Sequence, residues 1–239
     1  MANSSTTQYG DDCSLMLHCD GADGSTVFSD SSINANVIST FGNIQIDTAQ
    51  SVFGGASGLF DGSGDYISAP DTGNLFDFGT GDFTIDARIR FSALVGGSAY
   101  MLFVKNISDP QDHFYISYVV DATNITVVID GNSKTYSFSA AIDTWYHLAV
   151  ARSSGTVRVF RNGTLAGTAQ TQNGSVSSAG KFSIGSNTAS GWMAGWMDEI
   201  RVVKGQSIWN ANFTIPVSAY TDANAAPVGG ATRRIFVIT

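Results

Sequence analysis

The stretch Phe83-Thr84-Ile85-Asp86-Ala87-Arg88-Ile89-Arg90-Phe91 alternates strictly between apolar and polar residues. Successive side chains of an extended strand point to opposite faces. Phe83, Ile85, Ala87, Ile89 and Phe91 therefore share one face, and Thr84, Asp86, Arg88 and Arg90 the other. This reads as a strand with one face on a core and one in water, as in antiparallel sheets. The same period of two predicts strands at 14–19, 65–69, 101–105, 113–120, 125–130, 145–152, 157–161, 182–184 and 197–203, with turn residues between them. Asn162-Gly163 lies between Val157-Arg158-Val159-Phe160 and Thr164-Leu165, and Asp130-Gly131 between Val127-Val128-Ile129 and Tyr136. Both are hairpin signals, because a type I′ turn needs positive φ at its two central residues. No segment carries a helical period. A chain of this many antiparallel strands closes its core as a two-sheet sandwich or a barrel.

Composition agrees with that reading. A chain of 239 residues buries about 70% of its unfolded surface, enough for one large core. Only 13% of the residues are charged, against a usual share of roughly 25%, and Glu199 is the single glutamate. Long helices and coiled coils need far more Glu, Lys and Arg than this. The net charge of −8 argues against nucleic acid or an anionic membrane as a partner. No run of residues is long and apolar enough to predict membrane insertion. Residues 1–12 show neither the basic nor the apolar region of a secretory signal, so synthesis in a cytoplasm without a signal peptide is expected. Cys13 and Cys19, on one extended strand, would sit roughly 20 Å apart, beyond the reach of a disulfide. Both are expected to be reduced.

The residue inventory points away from catalysis. One glutamate cannot supply the Glu/Asp cluster of a sandwich glucanase. Asp198 and Glu199 are adjacent, so on a regular strand they face opposite ways. His18, His113 and His147 fall in three separate strands without partner motifs. Carboxylates beside turns are the remaining ionic chemistry, and Ca²⁺ is the ion that takes oxygen ligands of this kind. Asp20-Gly21-Ala22-Asp23-Gly24-Ser25 qualifies by composition. Asp61-Gly62-Ser63-Gly64-Asp65 opens like an EF-hand loop but fails it at Tyr66 and Thr72, and reads as a turn. Sugars offer flat CH faces to aromatic rings. Trp145 and Trp196 stand in strand patterns and read as core, with Phe83, Ile85, Ile89, Leu148, Val150, Phe160 and Ile200. Trp192, at the end of the loop 186–192 with Asn187, is the first candidate for an exposed sugar-binding ring, and Tyr100 is the second.

Several segments together resemble one family: Leu15-Met16-Leu17-His18-Cys19-Asp20-Gly21, the run 53–67, Gly81-Asp82-Phe83-Thr84-Ile85-Asp86, the run 144–152, and Gly195-Trp196-Met197-Asp198-Glu199-Ile200-Arg201-Val202. Their order and spacing are similar to laminin-G-like, concanavalin A-like jelly-roll domains of the kind found in tailed-phage virion proteins. The ending Lys204-Gly205, Trp209 and Phe213-Thr214-Ile215-Pro216 fits the same subtype. The resemblance implies an all-β, two-sheet antiparallel jelly-roll sandwich over residues 13–222, flanked by an arm at 1–12 and a linker with an attachment strand at 223–239. It implies a non-enzymatic protein of the virion surface, as a decoration, fibre or tail-associated subunit that contacts host glycans. The alternatives are a purely structural subunit without a ligand and, further off, a polysaccharide-cleaving enzyme. Expected partners are other virion proteins or copies of the same chain, forming a homo-oligomer on the particle. A structural Ca²⁺ near the first and last strands would map onto Asp20 and Asp198, with help from Asp23.

Overall fold

The computed structural model describes residues 12–105, 114–177, 180–186 and 191–221. The expectations for His113, for Asn187, for residues 1–11 of the arm at 1–12 and for the linker and attachment strand at 223–239 lie outside them.

The described residues form sixteen strands. In chain order these are β1 (Cys13–Leu17), β2 (Ser39–Phe41), β3 (Gln45–Asp47), β4 (Ser57–Asp61), β5 (Tyr66–Ala69), β6 (Phe83–Phe91), β7 (Ala99–Lys105) and β8 (Phe114–Val119). They continue with β9 (Asn124–Ile129), β10 (Asn132–Ser137), β11 (Trp145–Ser153), β12 (Thr156–Arg161), β13 (Thr164–Leu165), β14 (Gln170–Thr171), β15 (Phe182–Ile184) and β16 (Ala194–Lys204). The larger sheet runs β13-β12-β11-β6-β16-β4-β3, with β1 on β16 and β14 on β12; the smaller runs β10-β9-β8-β7-β15-β5-β2. Strands adjacent in a sheet pair antiparallel throughout. This is the expected two-sheet sandwich. The inward residues of β6, β11 and β16, among them Ile85, Ile89, Leu148, Val150 and Ile200, meet Phe103, Ile116, Ile184 and their neighbours from the smaller sheet in one core.

Both hairpins form as read. Asp130 and Gly131 have φ of 52° and 68°, and Asn162 and Gly163 have 50° and 77°, the doubly positive geometry of type I′ turns. Cys13 and Cys19 are free and buried. Asp65 organises the turn after β4, its carboxylate accepting hydrogen bonds from Asn43 N at 2.7 Å and Asp61 N at 2.9 Å.

Two expectations are corrected. Trp145 and Trp196 are only partly buried, because Tyr146, Leu148 and Val150 take the inward positions of β11 and Met197 that of β16, and a period of two turns both indoles outward. Phe160 is fully buried, but in a second layer on the outside of the larger sheet, with Ala149, Ala151 and Trp209.

That second layer also corrects the solvated face expected for β6. Thr84 and Asp86 are fully buried and Arg88 is 6% exposed, because residues 205–221 run back over them. Ile208 N donates to Thr84 Oγ1 at 2.9 Å, Thr84 Oγ1 donates to Gln206 O at 3.0 Å, and Arg88 donates to Pro216 O. Trp209 and Phe213 stack at 4.1 Å beside the edge of the His147 ring. At Gly163 a β-carbon would meet Phe213 O at 2.1 Å, so this turn needs glycine for the close approach as well as for its φ.

The centre of this layer is Asp86. Its Oδ1 accepts from Arg201 Nε at 2.9 Å, and its Oδ2 accepts from His147 Nε2 at 3.2 Å and from the Tyr220 hydroxyl. Burial alone would raise the Asp86 carboxyl, but the Arg201 guanidinium and the His147 and Tyr220 contacts outweigh it and hold it below the usual range. Burial pushes His147 below its ordinary value. A neutral ring donating through Nε2 leaves Nδ1 as an acceptor, and Nδ1 has no partner.

The unfolded chain binds a proton on His147 near its ordinary value of 6.5, which the folded chain refuses. Stability from this group is therefore present above that pH and is lost as pH falls through it; the lowered Asp86 carboxyl adds a further loss in stronger acid. Denaturant titrations at stepped pH should show this decline, and Asp86→Ala should cost about 3–5 kcal/mol by leaving Arg201 without its buried counter-charge. Trp209→Ala should cost about 3–5 kcal/mol, whereas Trp145→Ala should cost about 1 kcal/mol.

Candidate functional site

The sandwich brings the two aromatic residues proposed from the sequence to one place. A groove of about 600 Å³ at the end of the two sheets is lined by Asp61, Val95, Tyr100, Met101 and Trp192, with small residues between them. Its wall is held by the backbone: Met101 N donates to Gly191 O at 2.7 Å, and a β-carbon on Gly191 would meet Ala99 O at 2.7 Å. The chain entering Trp192 is thus pinned against the start of β7. Trp192 is partly exposed. Tyr100 is only 5% exposed; its ring packs on Phe91 at 5.9 Å, and its hydroxyl accepts from Val95 N at 3.2 Å. It serves as the floor of the groove rather than as a free ring. Among the described residues the lining holds one acidic side chain, Asp61, and no Lys, Arg or His.

The acidic candidates divide. Asp198 is fully buried on the outer side of β16. Its Oδ2 accepts from Val52 N at 2.7 Å and Phe53 N at 3.1 Å, while Oδ1 has no partner. Burial pushes its carboxyl up to about 7, with Glu199 and Asp20 adding to the rise and the two backbone N–H groups opposing it. Asp20 lies exposed but within electrostatic reach of Asp198, and its carboxylate presses on Gly54, where a β-carbon would meet Asp20 Oδ1 at 1.9 Å. Asp23 is engaged apart from them, accepting from Thr48 N at 3.1 Å and Thr48 Oγ1 at 3.3 Å. Among the described residues no group of three His, Cys, Asp or Glu side chains gathers as a metal-binding cluster.

Asp198 and Glu199 do not face opposite ways. The register of β16 on β6 slips between Asp198 and Arg201, and Glu199 has φ of 50°. The extra residue of this bulge turns both carboxylates outward while Met197 and Ile200 stay in the core. Glu199 is committed to structure: His18 Nδ1 lies 2.7 Å from its Oε1, and Tyr220 N donates to its Oε2 at 2.7 Å. The residues that sequence reasoning missed are those of the Asp86 cluster and Tyr220. The available signal was the density of charge on alternating positions of β6 and β16 in a chain otherwise poor in charge.

No curated protein matches the chain. Among solved structures, the binding domain of botulinum neurotoxin serotype G superposes with a TM-score of 0.62 at 14% identity, over 82% of this chain and 48% of that one. The binding domain of Paraclostridial Mosquitocidal Protein 1 gives 0.64 at 18%, over 84% and 51%. The chain thus spans about half the length of these toxin domains. Domain 4 of an extracellular arabinanase from Geobacillus stearothermophilus, solved in complex with arabinotriose, gives 0.61 at 19%, over 82% of this chain and 94% of that one. At these identities the likeness establishes the fold. Residues 61–206 match a family directly, and on that match the chain belongs to the concanavalin A-like lectin/glucanases superfamily.

Proposed function

We propose that this chain is a non-catalytic glycan-binding module of a phage particle, and that the groove beneath Trp192 takes an uncharged sugar of the host surface. The observation that carries this reading is the convergence of Trp192 and Tyr100 on one groove whose described lining holds no cation. A flat CH face would stack on Trp192, with the Asp61 carboxylate at hand for hydroxyls. The arabinotriose-bound neighbour supports a sugar as ligand for this architecture. The catalytic alternative finds no support in the carboxylates, since Asp86 and Glu199 are consumed by hydrogen bonds within the fold. On the particle the partners would be other virion proteins or further copies of the chain.

A glycan array probed with the full chain tests this. Trp192→Ala should weaken the selected neutral glycan roughly three- to tenfold, the loss of one aromatic contact, with an unchanged melting curve. No neutral glycan retained by the wild type, or equal retention by the variant, would contradict the reading.

We further propose that Asp198 and Asp20 hold a structural Ca²⁺. The unpartnered, buried Oδ1 of Asp198 and the neighbouring Asp20 carboxylate support this, because oxygen-only donors suit Ca²⁺ and not zinc. The bound ion would supply the counter-charge that Asp198 lacks. In chelator-treated protein at neutral pH, added Ca²⁺ should raise Tm by about 2–4 °C for each kcal/mol of linked binding, and Asp198→Asn should abolish the response. Equal Ca²⁺ responses of the two proteins would refute the assignment.

A further inference from the structure

The part of the larger sheet's outer face that residues 205–221 leave uncovered carries a row of side chains at right angles to the strands. Trp145 of β11 pairs with Arg90 of β6, Arg90 with Trp196 of β16, and Trp196 with Leu59 of β4. All four are partly exposed, and all point outward, because Tyr146, Ile89, Met197 and Phe60 beside them fill the core. The two indoles flank one strand, so they stand two strand spacings apart, about 10 Å. That is the span of two successive rings in an extended polysaccharide.

The row is fixed by its neighbours, which supply two carboxylates to one guanidinium. Trp196 Nε1 donates to Asp47 Oδ2 at 2.6 Å, and the Arg90 guanidinium lies over the Trp196 ring, 5.0 Å from its centre. Arg90 Nε donates to Gln50 Oε1 at 3.0 Å, and Nη1 pairs with Asp143 at 2.6 Å. Arg90 therefore offers no free charge to an ionic partner. What remains is ring surface bordered by the carboxylate and carboxamide groups of Asp47, Gln50 and Asp143, which can accept bonds from hydroxyls. The strip is one residue wide: on one side Arg88 is covered by Phe53 and the Pro216 carbonyl, and on the other β6 ends at Phe91. A stable protein partner needs about 800 Å² on each side, whereas a narrow apolar strip with polar borders fits a linear sugar chain.

We propose that Trp145, Arg90, Trp196 and Leu59 form a second carbohydrate surface that binds an extended, uncharged polysaccharide across the strands. It extends the sugar-binding reading to a different face and does not require the groove. The test is affinity electrophoresis of the full chain in gels containing linear arabinan, mixed-linkage β-glucan or, as an anionic control, polygalacturonate, with arabinotriose titrated separately. Trp145→Ala should weaken retention by a neutral polymer roughly three- to tenfold, leave Tm nearly unchanged and leave any arabinotriose binding intact, and Trp145→Phe should restore much of the retention. Retention equal to wild type in both Trp145→Ala and Trp196→Ala overturns the proposal, as does retention only by polygalacturonate or by none of the polymers. A change in sedimentation of Trp145→Ala with unchanged retention also overturns it, by assigning the strip to self-association. Loss of retention in Trp192→Ala alone would leave the groove standing and remove the strip; loss in Trp145→Ala alone would do the reverse.

Discussion

A single buried carboxylate ties the outer face of the larger sheet together. Asp86 sits on the central strand β6 and receives Arg201 from β16, His147 from β11 and the Tyr220 hydroxyl from the segment that crosses over them. An ionised carboxylate in such a place is tolerable only when its oxygens are bonded and its charge is matched. Each donor comes from a different element, so satisfying Asp86 fixes the lateral order of three strands and the path of residues 205–221 together. The ring of Tyr220 lies 3.9 Å from the Arg201 guanidinium, which closes the cluster with an aromatic cover.

The consequence for function is positional. With the middle of that face sealed by Trp209, Phe213 and Tyr220, the part of it left open lies at the end of the sandwich where β6 finishes and β7, β11 and β16 begin. The Trp192 groove and the Trp145–Trp196 strip both belong to this end, since Ala194 lines the groove and Trp196 stands two residues on in β16. The glycine-bearing segment 191–194 is held to β7 through the Gly191 carbonyl.

Much of this was legible in the residues, and the failures have identifiable causes. The alternation of 83–91 gave β6 and its inward set correctly, and Asp130-Gly131 and Asn162-Gly163 gave two hairpins, because these signals are local. The short strands β2, β3 and β4 were not read, since three to five residues rich in Ser, Gly and Asp carry too little periodicity. Trp145 was assigned to the core on its hydrophobicity against its own parity with Leu148 and Val150. The outward turn of both Asp198 and Glu199 depends on a bulge at a non-glycine residue with positive φ, which no local pattern announces. The burial of Asp86 depends on a segment more than a hundred residues later in the chain. Of the candidate site, Trp192 and Tyr100 were named from loop position, but that one is rim and the other floor follows only from packing.

The sealed outer face depends on Asp86 being ionised and on His147 remaining a neutral donor to it beneath the crossing segment. The most direct measurement is an NMR titration of the His147 imidazole in the intact chain. The lock predicts that this ring titrates below its ordinary value of 6.5, with an Nε2 proton protected from solvent while the protein stays folded. An ordinary titration near 6.5 with rapid proton exchange would show that the face is open to water, and would contradict the sealed arrangement on which the rest of the structure is built.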